Sequence, residues 1–128
     1  MKDPTWIDRE ECIAIHEMML AQHGGPTGIR DEGLLDSALS KPRNVHVYAS
    51  PILPAIAASY AAGIIHNHPF LDGNKRTGFM LAAVFLEVNG YVLFATEESV
   101  VKNTLALAAN QLNEAAYAEW LRENSKKS

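Results

Sequence analysis

Residues 79–86 most constrain how this chain can fold, because all eight of them are apolar. Their flanks predict a helix that begins near Asn74 and runs to about Asn89, where Gly90 ends it. A helix that is apolar on every side is stable only when other elements cover every side. We therefore expect an all-α fold, a compact helical bundle with this helix buried at its centre.

Five more helices are predicted around this one from local start and stop signals. The residues that begin them are, in chain order, Asp8, Asp31, Pro54, Thr96 and Asn113. The first helix ends at residues 24–26, the second is short, and the third runs to about Asn67. The third helix is rich in alanine, so neighbouring helices can approach it closely.

Two segments carry residues typical of β structure. Residues 42–51 include β-branched and aromatic side chains between two prolines, which favours an irregular loop or a small hairpin and thus a small β-like flap. Residues 91–94 are predicted to form one short strand. The lysine pair near the C-terminus, Lys126 and Lys127, is interpreted as a solvated tail.

Length and composition bound the class of protein. The 128 residues suit a single domain, residues 1–128, with one hydrophobic core. The sequence has neither a run of about 18 apolar residues nor a signal-peptide pattern, so we expect a cytoplasmic protein without a membrane span. A net charge of −4 argues against direct nucleic-acid binding. The single cysteine, Cys12, is expected to be a small buried hydrophobe.

The segment between the third and fourth helices predicts a phosphate-binding site. A helix that begins near Asn74 leaves its first backbone N–H groups without partners, and these groups and the helix dipole attract an anion. Gly73 allows a sharp turn and a close approach of the backbone to a ligand. Lys75 and Arg76 oppose the helix dipole in the first turn, a cost that a bound anion would offset. Phe70 is interpreted as a core anchor for the loop.

Two further side chains of this segment indicate phosphoryl transfer. Asp72 would repel a phosphate unless a cation lay between them, and Mg²⁺ typically bridges a carboxylate and phosphate oxygens. His68 can accept a proton near neutral pH, as the general base for an attacking hydroxyl must. The alternatives are an ordinary capped loop with a surface salt bridge, or a zinc site built on His66 and His68. No role is assigned to the remaining histidines, His16, His23 and His46.

Residues 68–76 also resemble the signature of a known protein family. They match the pattern His-Pro-Phe-x-[Asp/Glu]-Gly-Asn-[Gly/Lys]-Arg of the Fic/Doc family at all eight specified positions. Lys75 stands where glycine is more usual, which looks like the Doc branch, the death-on-curing toxins. Residues 28–39 and residues 15–17 are similar to that branch as well.

The resemblance implies a fold and a role for each matching residue. The family fold is an all-helical bundle whose motif loop opens onto a central helix. By resemblance, His68 deprotonates the target hydroxyl and Asp72 binds Mg²⁺. The residues that would bind the phosphates of ATP are Gly73, Asn74, Lys75 and Arg76.

Lys75 bears on which group is transferred. Most members with glycine at this position are taken to transfer AMP, whereas Doc-like proteins with lysine are known as kinases that bind ATP in the reverse sense and pass on its γ-phosphate. The resemblance thus implies a serine/threonine protein kinase that acts on elongation factor Tu and arrests translation. An AMP transferase and a non-catalytic nucleotide- or partner-binding module stay open as alternatives.

The resemblance also bears on target binding and regulation. Residues 43–52 lie where the family places a flap that aligns the target by strand-like pairing. The inhibitory pattern [Ser/Thr]-x-x-x-Glu-[Gly/Asn] of many Fic proteins does not occur in the sequence. We therefore expect inhibition by a separate protein, a cognate antitoxin whose disordered tail folds on the toxin.

Overall fold

The computed structural model describes residues 3–49 and 52–128, and within them the chain forms six helices and one two-stranded sheet. The elements are, in chain order, α1 (Arg9–His23), α2 (Glu32–Ala49), α3 (Leu53–Asn67), α4 (Asn74–Val88), β1 (Tyr91–Leu93), α5 (Glu97–Ala108), α6 (Glu114–Glu123) and β2 (Ser125–Lys127). The all-α fold predicted from the sequence is confirmed. In this described part of the chain, none of the helices has the length and apolar character needed to cross a membrane.

Four of the six described helices begin at the predicted capping residues, whereas α3 begins at Leu53, one residue before the predicted Pro54. Asp8 and Glu11 form a capping box at the start of α1, in which the Asp8 carboxylate accepts the Glu11 N–H at 2.8 Å. The Asp31 carboxylate accepts a backbone N–H of the first turn of α2 at 2.9 Å. Thr96 and Asn113 cap α5 and α6 in the same way. Each cap satisfies a donor that the first turn leaves free, so these starts are set by local sequence.

The expected buried central helix exists, but it is α3 rather than α4. Eleven residues of α3 are buried, and this helix packs against α2, α4, α5 and α6. The prediction that the fourth helix is central is wrong, because its Phe79 and Val84 side chains are only half-buried. The physical reason is the smaller width of α3. A Cβ at Gly63 of α3 would lie 3.2 Å from the Ala38 carbonyl oxygen of α2, so the small side chains of α3 allow neighbours to surround it.

The β-like flap predicted for residues 42–51 is wrong over the part that the structure describes. There α2 continues past Pro42 to its end at Ala49, and the last two positions of the segment lie outside the described residues. Leu35, Ala38 and Pro42 are buried at i, i+3 and i+7, the spacing of one helix face. Burial of this face outweighs the β propensity of the individual residues, which is a weak preference.

The predicted short strand, β1, is confirmed, and its partner is a strand that the sequence did not reveal. β2 pairs antiparallel with β1, with Tyr91 opposite Lys127 and Leu93 opposite Ser125. The lysine pair is exposed, as a solvated tail would be, but its backbone belongs to the sheet. Strand pairing uses backbone groups, so a short polar strand leaves little trace in the side-chain pattern.

Burial raises the pKa of three groups in the core. Cys12 is fully buried, as predicted, and burial raises the pKa of its thiol to about 12. Burial likewise raises the pKa of the Tyr117 hydroxyl to about 12, although its hydrogen bond with Thr104 opposes the shift. The pKa of the buried Tyr60 hydroxyl is also raised by desolvation. These groups therefore stay protonated and uncharged in the folded protein at neutral pH.

Candidate functional site

A cavity of about 560 Å³ lies beside the start of α4. Its walls are the end of α1, the first turns of α4, residues of α5, and the loop between α3 and α4, residues 68–73, called the motif loop below. The α5 wall is largely apolar and includes Val101 and Leu105. The cavity is lined by all six site residues proposed from the sequence, His68, Asp72, Gly73, Asn74, Lys75 and Arg76.

The start of α4 presents free backbone donors to this cavity. Gly73 is the N-cap residue and has a left-handed backbone with φ 79°. The first hydrogen bond of the helix runs from the Thr77 N–H to the Gly73 carbonyl oxygen at 2.9 Å. Among the described residues, no side chain caps this end and nothing accepts the N–H groups of Asn74, Lys75 and Arg76. Three adjacent free donors at the positive end of a helix dipole favour an anion.

The charged side chains around these donors are exposed. Lys75 and Arg76 stand in the first turn of α4, and neither is paired with a carboxylate in residues 3–49 or 52–128. The Asp72 carboxylate precedes them and accepts the Gly73 N–H through Oδ1 at 2.8 Å. Two cations, one carboxylate and a row of N–H groups therefore share one side of the cavity.

Asn74 and Phe70 hold the middle of the motif loop. The Asn74 side chain is buried, accepts the Phe70 N–H through Oδ1 at 3.1 Å and donates from Nδ2 to the Phe70 carbonyl oxygen at 2.9 Å. Phe70 itself is fully buried, so its predicted role as a core anchor is confirmed. Because both amide atoms of Asn74 are engaged within the loop, the part of this residue left for a ligand is its backbone N–H.

His68 ends α3 in an unusual backbone conformation. It is the C-cap residue, has φ 53° and ψ 52°, and donates its N–H to the Ile64 carbonyl oxygen at 3.1 Å. The guanidinium of Arg30 donates to the carbonyl oxygens of His68 at 2.7 Å and Asn67 at 3.0 Å. The His68 side chain is exposed and lines the cavity, so a second protein can reach it.

A second histidine supports the other end of the motif loop. His16 of α1 is only 2% exposed, and its Nε2 lies 2.8 Å from the Asp72 carbonyl oxygen. Because a carbonyl oxygen can only accept, Nε2 carries the hydrogen of this bond. The imidazole also stacks on the Phe70 ring at 3.8 Å with an angle of 8° between the planes. His66, by contrast, donates to the Leu107 carbonyl oxygen of α5 and does not line the cavity.

With this geometry established, comparison with known proteins identifies the family. The Fic/DOC family pattern matches residues 6–86. The chain belongs to the Fic/DOC family. A protein named Toxin Doc from Mycolicibacterium smegmatis is similar to it, with 36% identity over 93 residues that cover 70% of this chain and 68% of the relative. A protein named Protein kinase doc from Escherichia phage P1 is 29% identical over 117 residues, which cover 91% of this chain and 92% of that protein.

The Fic/DOC match spans the elements that build the motif loop. Residues 6–86 include α1, α2, α3 and nearly all of α4, and hence every proposed site residue. The resemblance to the Doc branch is confirmed by the two relatives. The cavity wall formed by α5 lies beyond the family match, although the similarity to the phage protein covers most of the chain.

The sequence does not reveal the two side chains of this Fic/DOC site that lie outside the motif. It assigns no role to His16, and Arg30 enters only as part of a segment of resemblance. His16 follows the buried Cys12 and Ile15 on one face of α1, a spacing that marks it as buried and so in need of a hydrogen-bond partner. For Arg30 the sequence holds no comparable signal, because its partners are backbone oxygens 37 and 38 residues away.

Proposed function

We propose that this protein is a Doc-like toxin and protein kinase that transfers the γ-phosphate of ATP to a serine or threonine hydroxyl of another protein. The observation that carries the proposal is one cavity lined by an exposed histidine, a carboxylate, and two cations and three N–H groups that have no partner among the described residues. The names of the two relatives, a toxin and a protein kinase, support the same activity class.

The residues present fit a nucleotide with its magnesium ion. The N–H groups at the start of α4, with Lys75 and Arg76, would bind phosphate oxygens. Within the described residues, no three His, Cys, Asp or Glu side chains lie together as a metal cage. Mg²⁺ is commonly held by one or two carboxylates together with substrate phosphates, so Asp72 would be its protein ligand. The ion would neutralise charge that develops on the leaving phosphate.

His68 would act as the base of the transfer step. The exposed imidazole would take the proton of the target hydroxyl while that oxygen forms its bond to the γ-phosphorus. The bond between the γ-phosphorus and the β–γ bridging oxygen breaks, and ADP leaves. Lys75 and Arg76 would hold the phosphates in line for this displacement, since positioning and charge stabilisation supply most of the catalysis in phosphoryl transfer.

Lys75 favours γ-phosphate transfer over AMP transfer. By the resemblance to Doc proteins, a lysine at this position goes with the reversed placement of ATP, and glycine goes with AMP transfer. On the same basis we propose elongation factor Tu as the target, arrested translation as the consequence, and the cytoplasm as the place of action. The cavity geometry supports nucleotide binding, and the choice of target rests on the resemblance alone.

Labelled ATP tests the proposal. The purified protein is incubated with elongation factor Tu, or with a cell lysate, in the presence of either γ-labelled or α-labelled ATP and Mg²⁺. Label from the γ position alone on protein is the expected result. Label from the α position would replace the kinase by an AMP transferase. ATP binding without transfer of either label would make the chain a nucleotide-binding module.

We also propose that a separate antitoxin inhibits this protein. The inhibitory sequence pattern of many Fic proteins is absent from the sequence, and one of the two relatives is named Toxin Doc. Expression of the chain alone is expected to stop growth, and expression with the neighbouring gene of its operon to restore it, with both proteins purifying together. Harmless expression of the folded protein would contradict this.

A further inference from the structure

The motif loop needs support at both of its ends. His68 at one end and Gly73 at the other have positive φ values of 53° and 79°. A left-handed backbone is strained for a residue with a side chain, so His68 keeps this conformation only where its surroundings enforce it. The hydrogen bonds between Asn74 and Phe70, and the backbone hydrogen bonds that Pro69 and Leu71 form with residues 28–31, fix the middle of the loop. They leave the peptide groups at both ends to be held by side chains from outside the loop.

The two ends are fixed by different side chains of the segment that runs from α1 into α2. Arg30 contacts the His68 end, where two carbonyl groups at the end of α3 lack helical donors. His16 contacts the Asp72 end, 56 residues along the chain. Gly25 lies there too, because a Cβ at this position would overlap the Asp72 carboxylate. The Asp72 end is therefore enclosed by neighbours as well as hydrogen-bonded.

Each contact acts on a peptide group next to a different functional side chain. The Asp72 carbonyl belongs to the peptide that leads into Gly73, so its hydrogen bond with His16 sets the direction of the first free N–H groups of α4 and of the Asp72 carboxylate. The His68 carbonyl belongs to the peptide on the far side of the loop. Its hydrogen bond with Arg30 sets the direction of the His68 side chain.

We propose that His16 and Arg30 are positioning residues with separable effects. His16 orders the turn that binds the nucleotide and its metal, and Arg30 orders the base that acts on the target hydroxyl. This inference rests on the function proposed above. It predicts that loss of the His16 contact weakens nucleotide binding, whereas loss of the Arg30 contact slows the transfer step with the nucleotide already bound.

His16→Phe tests the first half. Phenylalanine keeps a ring that can stack on Phe70 but has no donor for the Asp72 carbonyl oxygen. The dissociation constant of ATP with Mg²⁺, measured by calorimetry, is expected to rise about 10- to 100-fold, the usual effect of losing a partner that orients a metal ligand. His16→Gln restores a donor and is expected to recover part of the affinity. His66→Phe removes a hydrogen bond of the same kind, to Leu107, and is the matched control that leaves the affinity unchanged.

Arg30→Ala tests the second half. The kcat of γ-phosphate transfer is expected to fall up to about 100-fold, since a small misplacement of a reacting group has that effect, while the KM for ATP stays nearly constant. Arg30→Lys keeps the positive charge and a hydrogen-bond donor, so its kcat is expected to fall less. Arg9→Ala is the control: it removes ion pairs from α1 to Glu32 and Asp36 of α2 without touching the motif loop.

The proposal would be overturned if His16 did not act specifically on nucleotide binding or Arg30 did not act specifically on the transfer step. If His66→Phe weakened ATP binding as much as His16→Phe, His16 would not have the assigned role. If Arg30→Ala raised the KM for ATP as strongly as it lowered kcat, Arg30 would not have its assigned role. Amide hydrogen exchange of residues 68–76 adds a readout that needs no catalysis, and is expected to speed up in both test variants and in neither control. If the wild-type protein transferred no phosphate, the proposed kinase activity would be refuted. The binding and exchange measurements would still test the positioning role of His16.

Discussion

At the scale of single residues, His68 combines an exposed imidazole with a backbone that the fold holds in place. Its described hydrogen bonds, from Arg30 and to Ile64, use the main chain only. We expect His68→Ala to abolish γ-phosphate transfer, a loss of about 10²- to 10⁴-fold for a general base, without unfolding the protein. The measurement is the transfer rate beside a thermal melt. His68→Asn is the control for backbone strain, because asparagine tolerates the left-handed region and is no base. Full activity in either variant would remove the base role.

Asp72 allows the metal to be tested separately from the nucleotide. Asp72→Asn keeps an oxygen that can accept the Gly73 N–H but loses the negative charge. We expect ATP affinity in this variant to become independent of Mg²⁺, because the carboxylate both binds the ion and repels bare phosphate. Calorimetric titration with ATP in Mg²⁺ and in EDTA checks this. Asp36→Asn, which alters an exposed carboxylate of α2 paired with Arg9, should keep the Mg²⁺ dependence of the wild type. A persisting dependence in Asp72→Asn would place the metal elsewhere.

At the scale of helices and strands, the features that depend on local sequence were predicted, and those that depend on packing between distant segments were not. The starts of α1, α2, α5 and α6 follow from Asp8, Asp31, Thr96 and Asn113, because a cap is a contact over three residues. The length of α2, the partner of β1 and the identity of the central helix depend on contacts between distant segments. For this reason an apolar stretch in α4 pointed to a central position that the narrower α3 occupies.

Two glycines in helices are expected to respond oppositely to the same substitution. A Cβ at Gly78 of α4 would lie 2.8 Å from Ile65 Cγ1 and 3.0 Å from the Ala61 carbonyl oxygen, so Gly78→Ala must push α4 away from α3. We expect a loss of about 1–3 kcal/mol in the free energy of unfolding. Gly33 of α2 has only the Asp31 side chain nearby, at 3.4 Å, so Gly33→Ala is expected to stabilise by up to about 1 kcal/mol. Urea unfolding measures the free energy of unfolding of both variants. Equal changes in the two variants would contradict the close approach of α3 and α4.

At the scale of the whole molecule, the site was predictable where it is contiguous and hidden where it is not. The residues of the motif loop and of the first turn of α4 stand together in the sequence, so residue types and spacing alone were enough to propose that they line one cavity. His16 and Arg30 reach the same loop across 56 and 38 residues. Only the packing of α1 and α2 against the loop brings these pieces together, and no local pattern encodes that packing.

The stability of the whole fold is expected to fall as pH rises above about 9. The pKa of the Cys12 thiol is raised from 9.0 to about 12 and that of Tyr117 from 10.0 to about 12, in both cases chiefly by burial. Between the lower and the higher pKa of each group, the unfolded chain has lost a proton that the folded chain retains, so a rise in pH favours unfolding. The contribution of Cys12 is fully present below about pH 9 and that of Tyr117 below about pH 10. Each is lost towards pH 12 with a slope of roughly 1 kcal/mol per pH unit.

Cys12→Ala separates this contribution from the general effect of alkali on lysines and tyrosines. The variant leaves a small cavity and is less stable at neutral pH, but it cannot gain from ionising a thiol in the unfolded state. We therefore expect the difference in the free energy of unfolding between wild type and Cys12→Ala to shrink as pH rises from about 9 towards 12. Urea unfolding at a series of pH values measures that difference. A difference that stays constant over this range would show that the Cys12 thiol has an ordinary pKa in the folded protein.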